Sequence, residues 1–353
     1  MMTELERFQA TVSGRRPDRI LYTAGFTPDL EQRLIRHAGT GDLTRHYGLF
    51  SPVSVGPRPP AGWTEPDYSV YYAGENLPEG TTINSDGVAM IPAGFYHFSK
   101  HHSPLRNAKS LSQLQAYRVP DQSDWLTDPM AGQVRQAHAA GRVANCSIGH
   151  MYETAWQIRG YEEFLIDMME RPAWAQCLLD KLMYRNLSRA KAGAAAGVDY
   201  IGCGDDVANQ KAMMFSVPMW RKFMLARWSR VWSAARQIKP DVHIWYHSDG
   251  NIAAIIPELM AAGVTVLNPV QPECMDPVEV RARYPTLNLH GTIGTQSTMP
   301  FATPEEVGRT VRQRIESCGA SGRLILAPTH VLEPEVPIEN FEAYVEAART
   351  GGN

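Results

Sequence analysis

Residues 242–270 read VHIWYHSDGNIAAIIPELMAAGVTVLNPV. An apolar run, VHIWYH (242–247), ends in a polar turn; a helical pattern follows, and then a second apolar run, VTVLNPV (264–270). Strands this apolar along their whole length belong in a sheet covered on both faces, and a strand–helix–strand alternation makes that sheet parallel. The same unit recurs on either side. RVANCSIG (142–149) and VDYIGCG (198–204) precede it, and LNLHGTIG (287–294) and LILAPTH (324–330) follow. Adding ILYTAG (20–25) and a strand within 83–92 makes eight. Eight such units close into an α/β fold, the (β/α)8 TIM barrel, here with an N-terminal extension and early inserted loops. The intervening stretches carry helix punctuation. Pro172 starts a new helix after a break, and Thr303-Pro304 with Glu306 predicts a capped helix start.

A doubly wound open sheet is the competing fold, but TAGFTPDL after the first strand lacks the G-x-G-x-x-G loop such sheets use for dinucleotides. Residues 40–125 are rich in Gly, Pro, Tyr and His and read as a loop-rich insert within one barrel domain spanning 1–353. Tyr71, Tyr72, Tyr96, His97, His101 and His102 in this insert suggest a lid or a partner surface.

Composition narrows the function. Of 353 residues, 44% are hydrophobic and 20% charged, and 34 Lys+Arg against 37 Asp+Glu leave a net charge of −3. No cationic surplus is available for a nucleic-acid backbone, so a nucleic-acid partner is not expected. The segment MMTELERFQATVSGRRPDR has no apolar core of a secretory signal, and the most apolar stretch is interrupted by Pro257 and Glu258. No membrane association is expected, and the location expected is cytoplasmic. Five cysteines at irregular spacing (Cys146, Cys177, Cys203, Cys274, Cys318) fit a reducing compartment rather than a disulfide framework.

In a barrel, chemistry sits where strands end. Those ends carry His150, Asp205, Asp206, His247, Asp249, Asn268, Thr292 and His330. His247 and Asp249 stand two apart, so in extended backbone both side chains point to one side and can converge on an ion. His330 feeds the same mouth from the last strand and is a candidate third ligand. Imidazole with carboxylate suits zinc, manganese or iron. The alternatives are that Asp249 caps a helix and that both histidines are simple packing or hydrogen-bonding groups. A histidine–carboxylate–histidine triad of an iron oxygenase is disfavoured, because those enzymes use an antiparallel jelly roll. Adjacent Asp205 and Asp206 repel, so one can be held protonated and act as an acid; equally, one can cap the next segment while the other pairs with an arginine. His150, Glu153, Gln210, Tyr246 and Asn268 are candidate substrate-binding residues. Strand parity allows only one of Trp245 and Tyr246 to face inward, and Tyr152 is a further aromatic candidate.

Taken in order, several segments resemble the uroporphyrinogen decarboxylase superfamily. They are Gly14-Arg15-Arg16-Pro17-Asp18-Arg19, Gly204-Asp205-Asp206, Ser216 through Phe223, His247-Ser248-Asp249-Gly250-Asn251, Leu267-Asn268-Pro269-Val270-Gln271, and Ala327-Pro328-Thr329-His330 through Asn340. The decarboxylases carry an arginine-bearing segment after the first strand, and Leu21 through Phe26 contains none, so the clamp for a porphyrinogen's carboxylates is lost. The resemblance is therefore nearer the corrinoid-dependent methyltransferases of the superfamily, where a histidine and cysteines hold zinc. Here Asp249 and His330 stand at the cysteine positions, and Cys274 is a weaker substitute ligand. The resemblance implies zinc on His247, Asp249 and His330, with Asp205 or Asp206 as acid. The corresponding activity is methyl transfer from a small methylated substrate to a corrinoid carried by a partner protein, with a homodimeric enzyme. No D-x-H-x-x-G corrinoid motif occurs in the chain. A metal-independent decarboxylase or lyase acting on a small acid, with His330 and Asp205 as acid and base, is the alternative; a binding protein without turnover is a third reading.

Overall fold

The computed structural model describes residues 1–93 and 98–351. Eight strands form one sheet: β1 (Leu21–Tyr22), β2 (Val53–Ser54), β3 (Ala144–His150), β4 (Tyr200–Gly204), β5 (His243–His247), β6 (Val266–Val270), β7 (Asn288–Ile293) and β8 (Leu324–Pro328). Their order is β1-β8-β7-β6-β5-β4-β3-β2, and every pairing is parallel. The two ends of that order meet where the Phe50 N–H donates to the Tyr22 carbonyl at 2.7 Å, so the sheet curls into a (β/α)8 barrel.

Six strands lie where the apolar runs predict them, and β1 lies within 20–25. The second strand does not. Residues 83–92 contribute instead to a separate antiparallel sheet of Thr82–Ile83, Ala89–Pro92 and Ser99–His102. The reason is local turn chemistry. Asn84 Oδ1 accepts from the N–H groups of Asp86 and Val88, and Gly87 adopts φ +77°, which folds the chain straight back into a hairpin. The true β2 is only two residues long and shows no apolar run. In the insert, the Tyr72 hydroxyl lies 2.6 and 2.9 Å from the Gly87 and His102 carbonyl oxygens, so this residue belongs to the insert's own core. His101 packs edge-on against Trp156 at 5.4 Å, tying the insert to the barrel. Tyr96 and His97 lie outside the described residues.

The N-terminal extension has a purpose in the packing. Thr3 and Glu6 form a capping box that starts helix Glu4–Val12. The helix lies across the N-terminal end of the barrel, and Phe8, 1% exposed, packs against Phe50, Tyr200 and His243 with ring centroids 5.8–6.0 Å apart. Above this plug, Trp245 packs between Tyr200 (4.7 Å) and His290 (4.8 Å). The inward residues of β5 are thus His243, Trp245 and His247, while Ile244 and Tyr246 face the helical layer.

That layer includes Pro172–Ala196, which begins at the predicted proline, and Ala226–Ile238. Among the described residues no helix is long and apolar enough to cross a membrane. Truncating the plug by Phe8→Ala removes a buried aromatic from the barrel's floor. It is expected to cost about 3–5 kcal/mol, read as a lower urea midpoint.

Candidate functional site

Parallel register builds the mouth. His150, Gly204, His247 and Asn268 are paired in one row across β3, β4, β5 and β6. Residues paired across parallel strands share a face, so this row points into the barrel mouth. Gly204 contributes no side chain, and a Cβ there would run into the backbone carbonyl of His247. The gap it leaves lets the rings of His150 and His247 face each other, with centroids 6.2 Å apart at 78°.

The two aspartates that follow Gly204 have opposite fates. Asp205 is 0% exposed. Its Oδ1 accepts from the N–H groups of Met151, Tyr152 and Glu153 at 2.8, 2.7 and 3.3 Å, and its Oδ2 accepts from Trp228 Nε1 at 2.9 Å. It caps helix Tyr152–Arg159 from a neighbouring strand. Burial pushes this carboxyl up to about 7, opposed by the charge of His150 and by its donors. With four donors on two oxygens, Asp205 is engaged with the scaffold.

Asp206 faces the mouth. Its Oδ1 accepts from the Asp249 N–H at 2.8 Å and lies 3.5 Å from His247 Nε2. Ligand atoms of Asp206, His247 and Asp249 all lie within 4.8 Å of one another, and one Asp249 oxygen, Oδ1, is buried without a hydrogen-bond partner. Burial raises the Asp249 carboxyl, as does Asp206, while His247 and His330 pull it down. Gly250, at φ +85°, lets the chain turn here against the Ala208 and Asn209 carbonyls.

The ring of His247 is fixed from behind. Its Nδ1 contacts Asn268 Oδ1 at 2.7 Å, and the Asn268 amide nitrogen contacts His290 Nδ1. Burial, with the neighbouring His247, pushes His290 down to about 3, so it is neutral and accepts from the amide. Asn268 then accepts from Nδ1–H of His247, and Nε2 is turned toward the two carboxylates. This positioning histidine was not singled out in the sequence, because it lies mid-strand rather than at a strand end.

A second pair flanks the first. His150 Nδ1 is ion-paired with Glu153, and the Asp206 N–H lies 3.4 Å from Glu153 Oε2. Burial works against the His150 imidazolium, but Glu153, Asp205 and Asp206 outweigh it and push the group up to about 9. Conversely, burial raises Glu153, and His150 and His247 outweigh that to hold it below its usual range.

Several candidates sit elsewhere. His330 is exposed and lies outside the compact group of ligand atoms; Asp206 stands where it was expected. Gln210 is exposed and hydrogen-bonds Gln296 across the rim. Tyr246 is buried on the outer face of β5 against Trp228 (6.3 Å) and Trp232 (5.8 Å), away from the mouth. Tyr152 is likewise buried, against Phe164 and Phe215. Cys274 Sγ lies 3.5 Å from Gln271 Oε1, outside the group.

Replacing Asp205 by alanine strands four donors and is expected to cost about 3 kcal/mol or more, seen in denaturant unfolding. A catalytic acid without a scaffold role would leave stability nearly unchanged. The His150–Glu153 pair should be pH-dependent in a defined direction. The folded protein holds the His150 proton more tightly than the unfolded chain, so the stabilisation is full below about pH 6.5. It is lost as pH rises through 9. The Tm difference between wild type and His150→Gln, scanned from pH 6 to 10, should shrink across that window; a constant difference would refute the pairing.

The family model for uroporphyrinogen decarboxylase (URO-D) matches residues 148–351. A methyltransferase from Methanosarcina mazei superposes with a TM-score of 0.65 at 17% identity, over 99% of this chain and 98% of that one. Two crystal forms of 2,3-dimethylmalate lyase, a PEP mutase/isocitrate lyase superfamily member, align at 11% identity with a TM-score of 0.34. They cover 93% of this chain and 81% and 79% of theirs, and carry no argument. No curated protein matches the sequence. The family match includes the whole row of mouth residues from His150 to Asn268 and extends through the last helix, so this chain belongs to the uroporphyrinogen decarboxylase family.

Proposed function

We propose that the protein is a metal-dependent methyltransferase that takes a methyl group from the oxygen of a small methylated substrate. The observation that carries this reading is the convergence of Asp206, His247 and Asp249 with a buried, unpartnered carboxylate oxygen. The set fits a metal. It offers one imidazole nitrogen whose ring is held by Asn268 and two carboxylates, a combination suited to zinc and to other N/O-loving dications. When bound, zinc supplies Lewis-acid polarisation of the substrate oxygen. Asp206, Asp249 and His247 Nε2 would be its ligands, replacing the His247–Asp249–His330 set that the resemblance implies. Asn268 and His290 hold the His247 ring.

His150 does the proton work. Charged at neutral pH through Glu153, it can donate its proton to the departing oxygen as the carbon–oxygen bond breaks, which stabilises the leaving group. Asp205 acts by positioning, since it fixes the helix that carries Glu153. The methyl acceptor in this reading is a corrinoid carried by a separate protein. Support comes from the absent arginine clamp at Leu21–Phe26 and from the barrel shared with a methyltransferase.

One observation favours a second reading. The His150–Glu153 pair is a proton donor that needs no metal, so a decarboxylase or lyase acting on a small acid can be built on it. Elemental analysis separates the two. About one zinc per chain is expected in wild type and in His330→Ala, and none in His247→Ala or Asp206→Ala. Methyl transfer should fall at least roughly a hundredfold on chelation and recover with zinc. Retention of metal in His247→Ala, or full turnover after chelation, would overturn the metal assignment.

A further inference from the structure

The seam between β1 and β2 is joined by one backbone hydrogen bond from Phe50 to Tyr22 rather than by a ladder. Toward the N-terminal ends of these strands the seam opens into a cavity of about 590 Å3. It is far removed in chain terms from the mouth row, being lined by the plug helix, the segments before β1, β2 and β3, and the short helix Leu43–Tyr47.

Its lining carries four arginines, Arg7, Arg19, Arg45 and Arg142, against two carboxylates, Glu4 and Asp42. The Glu4 carboxylate accepts from the backbone N–H groups of Ser51 and Val143 at 3.2 and 3.3 Å. Asp42 accepts from the Arg45 N–H at 3.0 Å, as a helix cap. Arg7 spends Nε and Nη2 on Asp18. Arg142 gives one nitrogen to the Ser51 carbonyl at 2.6 Å. Among the described residues, no side-chain partner reaches the guanidinium of Arg19 or of Arg45. Arg19, Arg45 and Arg142, all exposed, therefore line one cavity with unspent donors in a chain whose net charge is −3.

We propose that this cavity binds a small phosphate-bearing anion, at a site separate from the mouth and independent of the reaction assigned there. Planar guanidinium forks match phosphate oxygens two at a time, which neither water nor chloride can do. A phosphate monoester brings about −1.5 to −2 charges on one centre, enough to answer three arginines without bringing several carboxylates together. The volume falls in the range of small-molecule sites, roughly 300–1,000 Å3, so the ligand extends beyond a bare phosphate ion. Bound there, the ligand would bridge β1, β2 and β3 across the barrel's weakest pairing and stiffen it.

The test uses the full chain and pyrophosphate as the probe, in calorimetric titration at neutral pH and low salt. Saturable binding at one site per chain is expected, with a rise in Tm. The double variant Arg19→Ala/Arg45→Ala should bind at least tenfold more weakly, with unliganded Tm and circular dichroism unchanged. Arg309→Ala, on a different surface, should bind as wild type. No saturable binding, or equal binding by the double variant, overturns the site. Citrate binding as tightly as pyrophosphate overturns the phosphate assignment.

Discussion

A single carboxylate holds the mouth of this barrel together. Asp205 follows the end of β4, accepts the first N–H groups of the helix that follows β3, and accepts the indole N–H of Trp228 from the helical layer. Three elements separate in sequence are thereby locked around one buried charge. Donors left unpaired there would cost more than the bonds themselves contribute, so the arrangement is strongly specified. Everything chemically useful nearby is placed by it. Asp206 is the next residue, turned to the mouth because its neighbour is turned away, and Glu153 lies on the helix that Asp205 caps.

Register then does the remaining placement. Pairing of His150, Gly204, His247 and Asn268 across four strands puts three polar side chains on one face with a glycine gap between the histidines. Slipping β5 by one residue would turn Tyr246 inward and His247 out into the helical layer. The aromatic stack of Tyr246 on Trp228 and Trp232 on one face, and of Trp245 on Tyr200 and His290 on the other, fixes that register from both sides.

These features explain what could be read from the sequence. Long apolar runs show a barrel strand plainly, so six strands and the strand-end polar residues were legible. Val53–Ser54 was not, because two residues carry no periodicity and the same loop-rich stretch, 40–125, holds a more persuasive hairpin. His247 and Asp249 were legible as a pair through their spacing. Their third neighbour was harder: adjacent aspartates look alike in sequence, and only the packing of Trp228 and of the helix start at Tyr152 shows which of them is consumed by the scaffold. His290 was invisible for a different reason. A histidine inside an apolar strand reads as packing, and its hold on Asn268 arises from a neighbouring strand.

The electrostatics of the mouth also bear on the ligand set. Burial, together with the nearby Asp206, raises the Asp249 carboxyl. The chain of contacts from a neutral His290 through Asn268 orients the His247 ring so that Nε2 faces both carboxylates. In the proposed reading a divalent cation would offset the charge of the two carboxylates and take Nε2 as a ligand. That division leaves His150, ion-paired with Glu153, for the proton.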